Sequence, residues 1–111
     1  MKTLVVGDLH LKQQFVLPRI DGMLAGDAEI GRIVFLGDAC DDWGANEADE
    51  LNAMEFYAKW VREHRGLGMR IDVLLGNHDF CYVRGKRGPG SIMSIMRNLR
   101  TILEDALQAK V

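Results

Sequence analysis

Three short apolar runs in this chain end in the same way. Residues 3–8 read TLVVGD, residues 33–38 read IVFLGD, and residues 73–77 read VLLGN. Each run is rich in β-branched residues and Leu, and each is followed by Gly and then by a side chain offering an oxygen donor. Runs without polar alternation read as parallel strands covered on both faces. The segments between them are long enough for helical crossovers. The order β-α-β-α-β-α predicts an α/β fold: a parallel-stranded sheet with right-handed helical crossovers. Parallel strands deliver their C-terminal ends to one edge, which is where open α/β sheets bind ligands. That edge would gather Asp8, His10, Asp38, Asp41, Asn77, His78 and Asp79. Gly7, Gly37 and Gly76 would let the backbone turn sharply there.

The crossovers carry their own signals. Pro18 reads as a first helical residue, with Ile20, Met23 and Leu24 on one face, Gly26 at the end, and residues 11–17 as a loop. Asn46 can cap a second helix with Asp49 reaching back; Leu51, Met54, Ala58 and Val61 form its stripe and Gly66 closes it. "CYVRGKRGPG" reads as a Gly-rich basic loop, after which Ser91 caps a long helix with Ile92, Ile95, Met96, Leu99, Leu103 and Ala106 on its core face. The closing residues "AKV" could open a further strand.

With 111 residues, the chain is expected to form one domain, 1–111. A net charge of -2 argues against a nucleic-acid role based on bulk charge, leaving nucleic acid as a substrate only. Cys40 and Cys81 are too far apart for a metal-type pair and read as reduced thiols. The N-terminus lacks the apolar stretch of ~7–15 residues that a secretory signal needs, and no run approaches the ~20 apolar residues of a membrane helix. A cytoplasmic location without membrane contact is the expectation.

Carboxylate, imidazole and amide oxygen together suit hard to borderline divalent ions such as Mn, Fe, Zn or Mg. Several carboxylates on adjacent loops repel one another unless cations neutralise them. Two ions about 3.5–4 Å apart can share a carboxylate and activate water, a device suited to hydrolysing phosphate esters.

The motifs D-x-H at Asp8 and His10, G-D-x-x-D at residues 37–41, and G-N-H-D at residues 76–79 resemble, in order and spacing, the first three motifs of the calcineurin-like metallophosphoesterases. The resemblance implies the first half of that family's α/β/β/α sandwich and a dinuclear phosphoesterase site. Asp8 and His10 would bind the first metal, Asp38 would bridge both, and Asn77 would bind the second through its amide oxygen. His78 would hydrogen-bond the substrate phosphate and protonate the leaving group, oriented by Asp41. Asp79 would brace the loop. Arg84, Lys86 and Arg87 could attract phosphate. Trp43 would line the pocket or pack beside it, Asp42 reads as a solvated neighbour, and His64 reads as a surface residue near a helix end.

The family's later lone His and G-H-x-H motif do not occur in these residues, whose histidines are His10, His64 and His78. The chain is therefore expected to be an incomplete or shortened metallophosphoesterase. The alternative is a binding or structural protein that retains half of the fold, or one that needs a partner to complete the site. A three-stranded sheet with open edges leads to an expectation of self-association. "GDACDD" and "GNHD" differ from the GDxxDRG and GNHE of the protein-phosphatase branch, and "GDLHLK" has some likeness to the nuclease branch. Nucleotide, phosphodiester and small phosphomonoester substrates stay open.

Overall fold

The computed structural model describes residues 1–88 and 90–110. Three strands, β1 (Lys2–Val6), β2 (Ile30–Phe35) and β3 (Arg70–Val73), form a parallel sheet in the order β1-β2-β3. Helices α1 (Gln13–Gly26) and α2 (Glu47–Gly66) make the crossovers, and α3 (Asn77–Arg84) leaves the end of the third strand. The α/β architecture is the one the three apolar runs imply.

Burial in the sheet alternates. Ile33, Phe35, Ile71 and Val73 are buried, and α2 lies on their side, with the Tyr57 and Trp60 rings edge-on to Phe35. The register sets Val5 beside Val34 and Val34 beside Asp72 on the other face, where Arg32 pairs with Asp72 at 2.6 Å and Val5, Leu36 and Leu74 are exposed. Coverage of both faces, expected from unbroken apolar runs, is thus not found among the described residues. Here Val and Leu on the second face carry no sign of their exposure, because β-propensity and burial favour the same residue types. No helix among the described residues is long and apolar enough to cross a membrane.

The first crossover begins earlier than Pro18 suggests. Residues 13–17 are helical and Pro18 lies inside α1. Tertiary anchoring sets this start: Gln13 is fully buried and its amide donates to the Ala39 carbonyl at 2.9 Å. Leu17 and Ile20 face the core, whereas Met23, expected there, is exposed. α2 follows the sequence closely. Asn46 Oδ1 accepts from the Asp49 amide and Asp49 accepts from the Asn46 amide, at 2.9 and 3.1 Å. Met54, Ala58 and Val61 are buried.

Beyond β3 the sequence reading needs two corrections. Cys81–Arg84 continues α3 and is not loop; Gly85, at φ 70°, ends the helix in the left-handed conformation. The single helix expected after Ser91 is a 3₁₀ turn (Met93–Ile95), helix α4 (Met96–Thr101) and a π-type turn (Ile102–Ala106). Ser91 accepts from the Gly88 amide and caps no helix. The apolar stripe survives the breaks, since Ile95, Leu99 and Leu103 are buried. Lys110 forms an isolated parallel bridge with Leu74, donating its amide to the Val73 carbonyl at 3.1 Å, so the "AKV" stretch does meet the edge of β3; Val111 lies outside the described residues.

The turns after β2 and β3 touch. Gly37 has φ 108°, and a Cβ there would lie 2.3 Å from the Gly76 nitrogen; a Cβ on Gly76 would lie 2.2 Å from Asp38 Oδ1. At Gly7 a Cβ would meet nothing within 4 Å among the described residues, so the expected need for glycine holds at two of the three turns. Gly76→Ala is expected to lower the unfolding free energy by about 2–3 kcal/mol, a fall of roughly 10 °C or more in melting midpoint. Gly7→Ala should stay within about 0.5 kcal/mol. Thermal denaturation followed by circular dichroism measures both, and equal midpoints for the two variants would refute the close-packing argument.

Candidate metal centre

The loop from β1 to α1 is tied to the loop after β2. The His10 and Leu11 amides donate to the Asp38 and Ala39 carbonyls at 2.9 and 3.0 Å. His10 Nδ1 faces two carbonyl oxygens, of Cys40 at 3.2 Å and Asp41 at 3.0 Å. Two acceptors at one ring nitrogen fix the proton there and leave Nε2 with a free lone pair. That nitrogen lies 3.8 Å from Asp8 Oδ2. Asp8, His10 and Asp38 each bring a donor atom into a group whose members all lie within 4.8 Å of one another. Two carboxylates and an imidazole held this way fit a divalent ion. His10, Asp38 and Asp41 all have positive φ, at 40°, 53° and 67°, a sparsely populated region for side-chain-bearing residues.

Asp38 is held from the third strand as well. Its Oδ1 accepts from the His78 amide at 2.9 Å, in the first turn of α3, where free N–H groups favour an anion. Asn77 opens the same helix and is exposed, placing it on the same sheet edge beside Asp38.

The imidazole of His78 meets Asp41 through Nδ1, 3.0 Å from Oδ2. Asp41 is buried, and its Oδ1 accepts from the Tyr82 hydroxyl. Tyr82 in turn accepts from the Ile92 amide at 2.9 Å. Burial, followed by the bond to Asp41, pushes the Tyr82 phenol up, so it stays a donor. The His10 and His78 rings meet edge to face with centroids 5.1 Å apart. Both line a cavity of about 270 Å³ with Asp41, Asp42, Trp43 and Gly90.

Asp79 is buried and ties two loops together: Oδ1 accepts from the Cys40 amide at 3.0 Å and Oδ2 from the Gly76 amide at 3.1 Å. Asp42 pairs with Lys12 at 2.5 Å and is no free neighbour of Asp41. Arg84, Lys86 and Arg87 are exposed and do not line the cavity. Arg84 sits six residues along α3 from His78, about 9 Å at helical rise, with its guanidinium over the Phe80 ring. His64 lies away from the edge, bonded to Asp21 and to the Trp60 carbonyl at 2.8 Å each and stacked on the Trp60 ring.

Three residues escaped the sequence reading. Tyr82 follows His78 by four and therefore shares its helix face. Gln13 is concealed by the misplaced start of α1. Glu50 falls in line with Met54, Tyr57 and Val61, an acid inside an apolar stripe. It is fully buried, and among the described residues neither carboxyl oxygen has a hydrogen-bond partner. Burial first, then the neighbouring Asp41, push its carboxyl up to about 9.

A model of the calcineurin-like phosphoesterase family matches residues 1–105. The chain belongs to that family. Its members are metal-dependent phosphoesterases, typically dinuclear. Among solved structures, the crystal structure of the Pseudomonas putida nuclease MPE is similar, with a TM-score of 0.51 and 25% identity over 79% of this chain and 43% of that one. The family member described here therefore spans less than half the length of that nuclease. No curated protein matches the chain.

The Glu50 carboxyl predicts a pH dependence. A raised folded pKa means that the folded state keeps a proton which the unfolded chain releases near 4.5. The stability linked to this proton is full below that value and is lost as pH rises towards about 9, by at most about 1.4 kcal/mol per pH unit. Glu50→Gln removes this contribution, so its stability should fall less steeply than the wild type's across the same interval. Urea unfolding at a series of pH values measures the slopes, and parallel curves would refute the assignment.

Proposed function

We propose that this chain carries the site of a metal-dependent phosphoesterase that hydrolyses phosphate mono- or diesters. One observation supports it most: the Asp8–His10–Asp38 donor group adjoins the hydrogen-bonded pair of Asp41 and His78. Asp8 and His10 would hold one ion, Asp38 would be shared, and Asn77 would serve a second, with Mn, Fe, Zn or Mg as candidates. When bound, such ions supply positive charge that polarises the phosphate and lowers the pKa of water.

The chain's own residues do the rest. Asp41 holds the His78 ring through Nδ1–H, and Tyr82 holds the other Asp41 oxygen against rotation. His78 Nε2 is then the atom that carries a proton to the leaving oxygen, and the buried carboxylate beside the ring stabilises its charged form. His10 keeps Nε2 free for a ligand by donating from Nδ1 to backbone carbonyls.

In the full chain, His78→Ala should lower hydrolysis of simple phosphodiesters and monoesters by roughly 10²–10⁴-fold while Mn²⁺ uptake by calorimetry is retained. Asp38→Ala should lose the uptake itself. Absence of both Mn²⁺ or Zn²⁺ uptake and hydrolysis in the wild type would refute the proposal.

We further propose that the chain self-associates through the open edges of its three-stranded sheet, flanked by the exposed apolar side chains of Val5, Leu36 and Leu74. Sedimentation velocity should show dimers or larger species that dissociate on Leu36→Glu; a monodisperse monomer across concentrations would count against it.

A further inference from the structure

Trp43 stands apart from the chain's other indole. Trp60 is 6% exposed and bonded to Asp21, whereas Trp43 is 97% exposed. An indole with both faces in water forgoes the stabilisation of a large buried surface. Trp43 is also held in place. It sits in a turn closed by the Ala45 amide on the Asp42 carbonyl at 3.2 Å. Its own amide donates to Asp42 Oδ1 at 2.9 Å, and Asp42 is fixed by Lys12 at 2.5 Å. Gly44, at φ 77°, supplies the left-handed residue that the turn needs.

The position of this ring matters more than its exposure. Trp43 forms part of the wall of the cavity that His10 and His78 line. The carboxyl groups of that cavity belong to Asp41 and Asp42, and the basic residues Arg84, Lys86 and Arg87 do not line it. Among the described residues no Lys or Arg lines this cavity, so beyond the charge that bound ions would supply, the aromatic ring is the contact the wall offers the rest of an ester. At about 270 Å³ the cavity falls just below the usual range of ~300–1,000 Å³ for ligand pockets, which suits one small planar group and a phosphate but no duplex. Base pairs inside a duplex offer no free ring face, whereas an unpaired base does.

We infer that Trp43 is a stacking platform for an unpaired nucleobase attached to the phosphate ester that this site binds, so the substrate class is a nucleotide or a single strand. The inference rests on the phosphoesterase reading and adds the base to it. Stacking on an exposed aromatic works with any base, because every base presents a π face. The site would therefore favour base-bearing esters with little preference among bases.

Tryptophan fluorescence of the full chain carrying His78→Ala, titrated with Zn²⁺ present so that the ions stay bound while turnover is slow, tests this directly. Trp43 supplies the red-shifted, solvent-exposed emission and Trp60 the buried component. A short oligothymidylate should quench the red component. An abasic oligonucleotide of equal length, and the same oligothymidylate with Trp43→Ala, should each bind roughly tenfold more weakly. Trp43→Phe should retain most of the affinity. Thymidine monophosphate matching the oligomer would point to a free nucleotide, and much tighter binding of the oligomer would point to a single strand; either supports the inference. Equal binding of the abasic oligonucleotide, of a duplex, or by Trp43→Ala would overturn it. Because Trp43 packs against so little, an unchanged melting midpoint in Trp43→Ala guards against misfolding. Failure of this titration leaves the metal uptake and the His78→Ala result standing, and failure of those leaves the base contact measured.

Discussion

The contact between the turns after β2 and β3 fixes the rest of the site. Two backbones meet where neither can carry a Cβ, at Gly37 and Gly76, and the Asp38 carboxylate fills the space that a side chain on Gly76 would take. The His78 amide then closes on Asp38, and Asp79 reaches back to the Cys40 and Gly76 amides. These bonds make one rigid unit of two segments far apart in sequence. They also explain how His10, Asp38 and Asp41 persist with positive φ. Strain of order 1–3 kcal/mol per residue survives only where the surroundings over-determine the conformation, and each of these residues is held by its neighbours across the turn.

Much of this was legible in the sequence. Three apolar runs ending in Gly and a polar residue are enough to imply parallel strands and to bring Asp8, His10, Asp38, Asp41 and His78 to one edge. The Asn46 cap was readable because it is local: both partners lie within four residues. What was not legible is non-local. Gln13 starts α1 early because its side chain bonds to a carbonyl of another loop. The helix after Ser91 breaks although its apolar period is regular, because periodicity records which face is buried and not whether the backbone ladder is continuous. The second face of the sheet looked covered because exposed Val and Leu read the same as buried ones.

Beneath the site lies a group of acids whose surroundings give them different tasks. Asp41, Glu50 and Asp79 are all buried, and like charges this close cannot all ionise at once. Asp79 is compensated by two amide donors, Asp41 by a phenol and an imidazole. Burial first, then the neighbouring Asp41 carboxylate, hold the proton on Glu50. A protonated Glu50 spares Asp41 a second negative neighbour beside the oxygen that holds His78. Separating the acids by environment in this way is how one pocket assigns acid and base roles to chemically similar side chains. It also accounts for an acid in the apolar stripe of α2. Leu at that position would pack as well, but it would leave the floor of the site without the group that the geometry places behind Asp41.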